Sequence, residues 1–268
     1  MSKLFFIGCG KMAGAIAGGV IRAGVLKPEE IAGFDVDARS AENFEKISGA
    51  KVFTSEAGIH IAEAETVLIA VKPQMLESAL SCYKDILKDK AVFSIAAGVS
   101  IARLQEITGA ERIVRIMPNT PALVGCGAAA YTASKEALAG DVEFAGAIFS
   151  AIGMAVQLPE SSIDAVTALS GSGPAYVFEF IQALADGGVA EGLPRNIALQ
   201  LAVQTVIGSA KMVAETGEHP TQLKDNVTSP GGTTSRALEV MAEHSFAGIV
   251  IKSVRAAAKR SRELGGNK

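Results

Sequence analysis

The fold of this chain is decided by the stretch Leu4-Phe5-Phe6-Ile7-Gly8-Cys9-Gly10-Lys11-Met12-Ala13. Its first four residues form a short apolar run that is typical of a buried strand. The apolar pattern resumes at helical spacing, with Ile16 and Val20, directly after the glycines. Strand, glycine turn and helix are the context of the dinucleotide-binding fingerprint, whose first glycine permits a tight turn and whose second lets the backbone approach a pyrophosphate. The stretch therefore predicts a Rossmann-type start, with Ala13 at the third small position; the alternative is a structural turn that binds no cofactor.

Strand and helix patterns alternate through the rest of the first half of the chain. Apolar runs predict further strands at 31–35, 66–71, 91–95 and 112–117, and helical spacing predicts helices at 41–48, 75–87 and 101–108. This alternation favours a doubly wound α/β sheet. Ligands of such sheets bind beyond the carboxyl ends of the strands, which here carry residues 8–12, 72–73, 96–98 and 117–121.

The second half of the chain has a different texture, because strand-like runs end at about residue 153. Helical patterns follow at 163–168, 174–191, 194–216, 232–242 and 246–264, and Pro174 and Pro194 are expected in first turns. Several of these helices are apolar on more than one face, as buried helices are. We therefore predict a Rossmann domain over 1–158 and an all-α domain over 159–268 that buries a face in a partner subunit. The alternative is a self-contained helical bundle.

A second candidate anion site lies in the stretch 225–238. Ser229-Pro230-Gly231-Gly232-Thr233-Thr234 leads into apolar residues at helical spacing, which predicts a helix with its first turn at 232–235. A helix start offers free backbone N–H groups and the positive end of the helix dipole. The glycines let an anion approach closely, so the stretch predicts a carboxylate or phosphate site. The alternative is an ordinary junction between a loop and a helix.

Composition limits the function classes that need consideration. The chain has 268 residues, enough for two domains, and a net charge of only −3 with no long basic run, so nothing favours nucleic acid. Its three cysteines are too scattered for a disulfide framework or a metal site. We see no signal peptide, and the uncharged run 116–134 contains prolines that argue against a membrane span. We expect a soluble, reduced, cytoplasmic protein.

Six motifs occur along the chain in an order that resembles the pyrroline-5-carboxylate reductase family, the last enzyme of proline synthesis. They are Gly8-Cys9-Gly10-Lys11-Met12, Ala70-Val71-Lys72-Pro73, Ala96-Ala97-Gly98-Val99, Met117-Pro118-Asn119-Thr120-Pro121, Leu169-Ser170-Gly171-Ser172-Gly173-Pro174-Ala175-Tyr176 and Ser229-Pro230-Gly231-Gly232-Thr233-Thr234. The resemblance covers essentially the whole chain and implies an N-terminal Rossmann domain with a helical dimerisation domain, in dimers often assembled into decamers. It implies L-Δ1-pyrroline-5-carboxylate as substrate and NADP(H) or NAD(H) as cofactor.

These considerations assign roles to particular residues. The expected cofactor-binding residues are Gly8, Cys9, Gly10, Lys11, Met12, Asp35, Ala70, Val71, Lys72, Pro73, Ala96, Ala97, Gly98 and Asn226. The expected substrate-binding residues are Glu160, Ser229, Gly232, Thr233 and Thr234. Of these, Glu160 and Lys72 rest on the resemblance; their alternatives are a solvated turn residue and a solvent-facing lysine at a strand end.

Thr234 is the one residue to which we assign a catalytic role. The substrate that the resemblance implies is a small ring with a carboxylate, which the N–H groups at the start of the predicted helix would bind, and a C=N bond, which accepts hydride. We expect the Thr234 hydroxyl to hydrogen-bond the ring nitrogen. A cyclic imine is partly protonated near neutrality, so no strong general acid is obligatory. His60, His219 and His244 are accordingly interpreted as surface residues rather than catalysts.

The cofactor preference stays open at this point. Asp35 ends the second predicted strand, where a carboxylate would hydrogen-bond the ribose 2′-hydroxyl and repel a 2′-phosphate, and Asp37 adds to the repulsion. Arg39 and Ser40 follow and could instead bind that phosphate. NADH preference and dual use are both compatible with this stretch.

Two rival functions remain at this point. A β-hydroxyacid dehydrogenase commonly needs a Lys-x-x-x-Asn pattern on a C-terminal helix, but Lys211 is followed by Glu215 and Lys224 by Thr228. A catalytically idle nucleotide sensor is disfavoured by the complete stretch from Ser229 to Thr234.

Overall fold

The structure, a computed structural model, describes residues 2–266 and divides them into two units. The first unit takes the chain up to Ser172 and again from Ala256, and the second is Gly173–Arg255. This division falls later than the boundary expected at 158, because short elements after the last strand pack within the first unit. The end of the last helix also belongs to the first unit.

One sheet organises the first unit. The described residues contribute eight strands: β1 Leu4–Ile7, β2 Ile31–Phe34, β3 Lys51–Phe53, β4 Thr66–Ile69, β5 Ala91–Ser94, β6 Ile113–Met117, β7 Gly127–Ala133 and β8 Gly153–Gln157. Their order is β3-β2-β1-β4-β5-β6-β7-β8, in which β1 to β6 are parallel, β7 is antiparallel to β6, and β8 is parallel to β7. The five strands expected from the sequence are confirmed, and β3, β7 and β8 extend the sheet at its two edges.

Helices cover both faces of this sheet, which confirms the doubly wound class. They are α1 Lys11–Arg22, α2 Ala38–Ser48, α3 Ala57–Glu63, α4 Leu76–Leu80, α5 Lys84–Leu87, α6 Ile101–Thr108, α7 Ala139–Ser150 and α8 Ile163–Val166. Alternate side chains of β1 serve the two faces: Leu4 and Phe6 join the core under α1 and α7, whereas Phe5 and Ile7 join the core under α3, α4 and α6. The strand order reverses between β1 and β4, so the sheet's ligand crevice lies beyond their carboxyl ends.

The expected helix 75–87 is interrupted in the structure. A 3₁₀ turn at Ser81–Tyr83 separates α4 from α5, and another at Pro73–Met75 precedes α4. The interruption leaves Leu80 and Leu87 in the same buried core.

The second unit is helical, as expected. Its helices are α9 Gly173–Ala190, α10 Arg195–Thr216, α11 Pro220–Asn226, α12 Thr233–Glu243 and the first part of α13 Phe246–Leu264. Pro174 lies in the first turn of α9, but the expectation for Pro194 is wrong, since this residue caps α10 from outside. A π-helical turn, Thr167–Gly171, occupies the end of the first unit after α8.

The helices of the second unit leave much apolar surface exposed in the single chain. Between α9 and α10 the fully buried apolar side chains are the small ones of Ala185, Ala198 and Ala202. Larger side chains remain outside, with Phe178 63% and Leu201 53% exposed. Among the described helices, α10 alone has the length and composition of a membrane span, with a mean hydropathy of 1.4, although only 11% of that window is buried. An exposed apolar surface of this kind is typical of a face that packs against a partner molecule.

Candidate active site

The glycine turn between β1 and α1 has the steric features of an anion cradle. Gly8 has φ +94°, and a Cβ placed on it would lie 2.9 Å from the carbonyl carbon of Ala70 and from Cγ1 of Val71, so no larger residue fits. Gly10 is the N-cap of α1, where no side chain of the described residues supplies a capping hydrogen bond. A Cβ on Gly10 would meet nothing within 4 Å, so the space above the helix start is open. The first-turn N–H groups can therefore receive a phosphate.

Asp35 is attached to this turn by hydrogen bonds. The backbone N–H of Cys9 donates to Oδ2 of Asp35 at 2.8 Å, and the N–H of Asp37 donates to Oδ1 at 2.9 Å. The carboxylate thus uses both oxygens to hold the glycine turn beside the end of β2. The structure adds this role to the sequence expectation that Asp35 faces the ribose.

The Cys9 thiol fills space rather than offering a nucleophile. It is only 2% exposed, and its sulfur would lie 2.7 Å from a Cβ on Gly33. Burial, followed by the nearby charge of Asp35, raises the pKa of Cys9 to about 12, so the thiol stays protonated at neutral pH.

Two cavities flank the glycine turn. One of about 520 Å³ is lined mainly by apolar groups and includes Gly8, Gly10, Asp35, Val36, Ala70, Val71, Lys72, Met75, Cys82 and Tyr83. The other, of about 330 Å³, includes Cys9, Gly10, Lys11, Asp37, Arg39, Ser40 and Asn43. Most of the expected cofactor residues are thereby brought together around one turn. Met12 lies in the first turn of α1, and Pro73 begins the 3₁₀ turn after β4.

The polar cavity contains groups of both signs. Asp37 caps α2 and accepts hydrogen bonds from the hydroxyl and the backbone N–H of Ser40. These bonds hold the pKa of Asp37 below its ordinary value, so it is charged at neutral pH. Lys11 and Arg39 line the same cavity and supply positive charge.

The expected loop Ala96–Gly98 follows β5 directly. The hydroxyl of Ser94 accepts the N–H of Ala96 at 3.3 Å, Gly98 has φ +75°, and Ser100 caps α6. The loop therefore begins at the carboxyl edge of the sheet, where ligands of such sheets bind.

Glu160 is occupied by contacts within the first unit. Its Oε1 accepts the backbone N–H of Ile101 at 2.7 Å and a hydrogen bond from Nη1 of Arg115 at 3.0 Å. The side chain of Arg115 is 9% exposed and that of Glu160 is 38% exposed. Glu160 is thus the counter-ion of a buried arginine, and its contact with substrate stays a prediction.

The second cradle lies in the second unit, at the start of α12. Gly232 is the N-cap, and no side chain of the described residues caps the helix. A Cβ on Gly232 would lie 2.3 Å from the hydroxyl oxygen of Ser229, while the Gly232 N–H donates to the Ser229 carbonyl at 3.1 Å. Gly231 has φ +68°, which completes a turn that only glycine adopts readily. The first-turn N–H groups of α12 are therefore open to an anion.

The two threonines of this cradle differ in their surroundings. Thr234 is half-buried and Thr233 is exposed, and within the described part of the chain neither hydroxyl forms a hydrogen bond. Ser235 instead donates to the Gly232 carbonyl at 2.8 Å. Asn226 is exposed at the end of α11, where its amide oxygen accepts from Gln222. The roles expected for Thr234, Ser229 and Asn226 stay predictions.

The three histidines have structural contacts. His219 lies directly before α11 as its N-cap, where its Nδ1 accepts the N–H of Thr221 at 3.2 Å. His244 approaches the Val240 carbonyl, and His60 stacks on Phe53. Among residues 2–266, no group of three or more His, Cys, Asp or Glu side chains could hold a metal ion.

Asn119 is a buried polar residue to which the sequence assigned no role. Its amide nitrogen donates to the Ser170 carbonyl at 3.0 Å, and its amide oxygen accepts the N–H of Ala128 at 2.8 Å. Nearby, a Cβ on Gly171 would lie 2.6 Å from the Met117 methyl group. The residues between β6 and β7 are thus joined to the π-helical turn, and an asparagine between two prolines was the available signal.

The fold and the first cradle define a class. A parallel sheet in the order β3-β2-β1-β4-β5-β6, with an uncapped glycine turn at the switch point, is the arrangement of dinucleotide-dependent oxidoreductases. The family model described as coenzyme F420-dependent NADP oxidoreductase matches residues 3–98.

Comparison with known proteins narrows this class. The family model described as pyrroline-5-carboxylate reductase dimerisation matches residues 160–264. Curated pyrroline-5-carboxylate reductases of Arabidopsis thaliana and Methanosarcina acetivorans are each 46% identical to this chain over 98% of its length and over 95% and 98% of theirs. The chain belongs to the pyrroline-5-carboxylate reductase family.

Solved structures agree with this assignment. Pyrroline carboxylate reductase from Plasmodium falciparum, with NADP bound, has a TM-score of 0.88 at 35% identity, covering 98% of both chains. Pyrroline-5-carboxylate reductase from Coxiella burnetii has a TM-score of 0.91 at 35% identity and the same coverage.

Proposed function

We propose that this chain reduces L-Δ1-pyrroline-5-carboxylate to L-proline by hydride transfer from NADPH or NADH, the last step of proline synthesis. The observation that carries the proposal is the pair of uncapped, glycine-flanked helix starts, at α1 and α12, in a chain of this family. One helix start suits a pyrophosphate and the other a carboxylate.

The residues around the first cradle fit a nicotinamide dinucleotide. The open space above Gly10 and the free N–H groups of Lys11 and Met12 would hold the pyrophosphate, and 70–73 and 96–98 would line the rest of the cofactor. When bound, the nicotinamide supplies the hydride. The protein's part is to fix the cofactor at the carboxyl edge of the sheet.

The residues around the second cradle fit a small cyclic imino acid. The first-turn N–H groups of α12 would bind the carboxylate, with Gly232 allowing close approach and Ser229 supporting the turn. The Thr234 hydroxyl, which forms no hydrogen bond within the described residues, would hydrogen-bond the ring nitrogen while the carbon of the C=N bond receives hydride. Since the imine is partly protonated near neutrality, no further acid is required. Glu160 and Asn226 are assigned supporting contacts with substrate and cofactor.

The exposed apolar helices support a homodimer, which we further propose assembles into a decamer. The dimerisation model covers residues 160–264, where α9, α10 and α13 carry that surface. We therefore assign α10 to a subunit interface rather than a membrane, place the protein in the cytoplasm, and keep 1–158 and 159–268 as the functional domains. Light scattering of the purified chain should show dimers or larger species, and a monomer at micromolar concentration would contradict this assembly.

An oxidation assay tests the reaction. The purified full chain should oxidise NADPH or NADH when pyrroline-5-carboxylate is added, but should not reduce NAD⁺ or NADP⁺ when 3-hydroxyisobutyrate is added. Nucleotide binding without imine-dependent oxidation would refute the proposed reaction and favour a sensor. Turnover of the hydroxy acid would instead place the chain with the β-hydroxyacid dehydrogenases.

A further inference from the structure

The end of α13 is attached to the first unit by a specific polar contact. Ser261 is 6% exposed, and its hydroxyl donates to Oδ1 of Asp164 in α8 at 2.6 Å, across 97 residues of sequence. Ala258, one turn earlier, is also buried at 9% exposure. The last turns of α13 therefore pack against the rest of the first unit.

The residues beyond this contact touch the loop Ala96–Gly98. A Cβ on Gly98 would lie 3.9 Å from Cβ of Leu264 and 4.0 Å from the Gly265 nitrogen. A Cβ on Gly265 would lie 3.2 Å from the Gly98 carbonyl oxygen, which is tighter than ordinary contact. Two glycines thus let the helix end and the loop meet backbone to backbone.

The same loop is fixed a few residues later by a different group. Ile101, at the start of α6, donates its N–H to Glu160, which is held in turn by Arg115 of β6. The α13 contact is at Gly98, which has a left-handed conformation, and two residues separate Gly98 from Ile101. The last residue of the loop therefore lies against the end of α13, and the chain is held again three residues later, at Ile101, through Glu160 and the sheet.

We propose that Ser261–Gly266 form a C-terminal latch that positions the loop Ala96–Gly98 for cofactor binding. This proposal rests on the proposed function, because the contact between the loop and the cofactor is part of that function. The latch residues act through the loop and are positioning residues. Their loss should leave the chemistry intact while weakening nucleotide binding and loosening the loop.

Two variants disturb the latch in different ways. Ser261→Ala removes the hydroxyl that bonds Asp164, and Gly265→Ala inserts a methyl group against the Gly98 carbonyl without a change of backbone region. Each should raise the Kd for NADPH or NADH about threefold to tenfold, the equilibrium equivalent of one net hydrogen bond. Each should also speed amide hydrogen exchange at 96–101. The kcat should change less than about twofold, because the latch residues do not touch the reacting groups.

Matched controls separate the latch from general destabilisation. Arg260→Ala breaks an exposed pair with Glu263 on the same turns and should leave both readouts unchanged. Asp164→Asn keeps an acceptor oxygen for Ser261 and should behave as wild type, whereas Asp164→Ala should match Ser261→Ala. Binding and exchange are measured without substrate, so a failure of the proposed reaction in the oxidation assay leaves them readable. A lower melting temperature with unchanged Kd and unchanged exchange at 96–101, or equal effects from Arg260→Ala, would overturn the latch.

Discussion

Asp35 allows the sharpest test of how the glycine turn works. Its carboxylate accepts the N–H groups of Cys9 and Asp37 at 2.8 and 2.9 Å. Hydrogen bonds to a charged acceptor contribute about 1.5–3 kcal/mol each, and a half-exposed position calls for the lower end of that range. Only the bond from Cys9 lies in the glycine turn, so Asp35→Ala should cost the binding-competent turn about 1.5 kcal/mol, and nucleotide affinity should fall about tenfold.

The two roles of Asp35 predict different patterns of loss. If the carboxylate mainly holds the turn, Asp35→Ala and Asp35→Ser should weaken NADPH and NADH alike, and Asp35→Asn should be mild because its amide oxygen still accepts from Cys9. If it mainly repels a 2′-phosphate, Asp35→Ser and Asp35→Asn should both improve NADPH relative to NADH. Charge repulsion in water is worth about 1 kcal/mol, which corresponds to about fivefold in the ratio.

The assay is the ratio of kcat/KM for NADPH and NADH, with nucleotide Kd and melting temperature measured alongside. We expect both effects: Asp35→Ala should weaken both nucleotides, and the ratio should move toward NADPH in Asp35→Ala and Asp35→Ser alike, since both remove a charge from the wall of the larger cavity. Asp37→Asn is the control for the holding role, because asparagine caps α2 equally well and only the charge of the polar cavity changes, so the Kd for NADH should stay the same. A Kd for both nucleotides unchanged in Asp35→Ala would refute the holding role, and a constant ratio in Asp35→Ser would show that Asp35 does not face the ribose.

Three further outcomes follow from the site and its supports. Thr234→Ala should lower kcat/KM about tenfold to a thousandfold while costing about 1 kcal/mol of stability or less, and Thr233→Ala should be milder; equal, small effects with a lower melting temperature would make Thr234 a simple helix-start residue. Glu160→Ala leaves Arg115 without its counter-ion and should lower the free energy of unfolding in urea by about 2 kcal/mol, while Glu160→Gln should be less damaging; a loss confined to the substrate KM would instead support substrate contact. Burial alone would raise the pKa of Asp141, but hydrogen bonds from the Arg112 guanidinium and the Leu138 backbone N–H outweigh burial and hold that pKa below its ordinary value. The stability that Asp141 contributes is therefore present above the ordinary aspartate range and is lost as pH falls through the folded pKa. Thermal unfolding against pH should show this loss flattened in Asp141→Asn, and an unchanged acid limb would contradict it.

The parts of the fold that the sequence predicted are those with local causes. Strand β1, its glycine turn and α1 follow from neighbouring residues, and so do α6 and α10. Strands β7 and β8 were missed because Gly-Ala-Ala-Ala-Tyr-Thr-Ala and Gly-Met-Ala-Val-Gln have little intrinsic strand preference. Their structure comes from pairing: β7 lies against β6, and β8 against β7.

The site shows the same division between local and distant causes. Glycine spacing predicted the two turns that lead into helix starts without a side-chain cap among the described residues, since that requirement lies within a few residues. It did not predict that Asp35 would bond Cys9 across 26 residues, or that Glu160 would pair with Arg115 across 45. Such pairings depend on which strands become neighbours in the sheet, and nothing in a single sequence records that directly.

In the proposed function both cradles bind their ligands through backbone N–H groups, and side chains hold that backbone in place. At α1 the N–H groups are free because Gly10 offers no cap, while Asp35 fixes the turn. At α12 they are free because Gly232 offers none, while Ser229 packs against the turn. Side-chain substitutions should therefore act mainly by moving N–H groups that remain chemically intact. Thr234 is the exception that we propose, since its hydroxyl itself would contact the reacting ring. Activity lost in Thr234→Ala should therefore persist even where the backbone of the turn keeps its position.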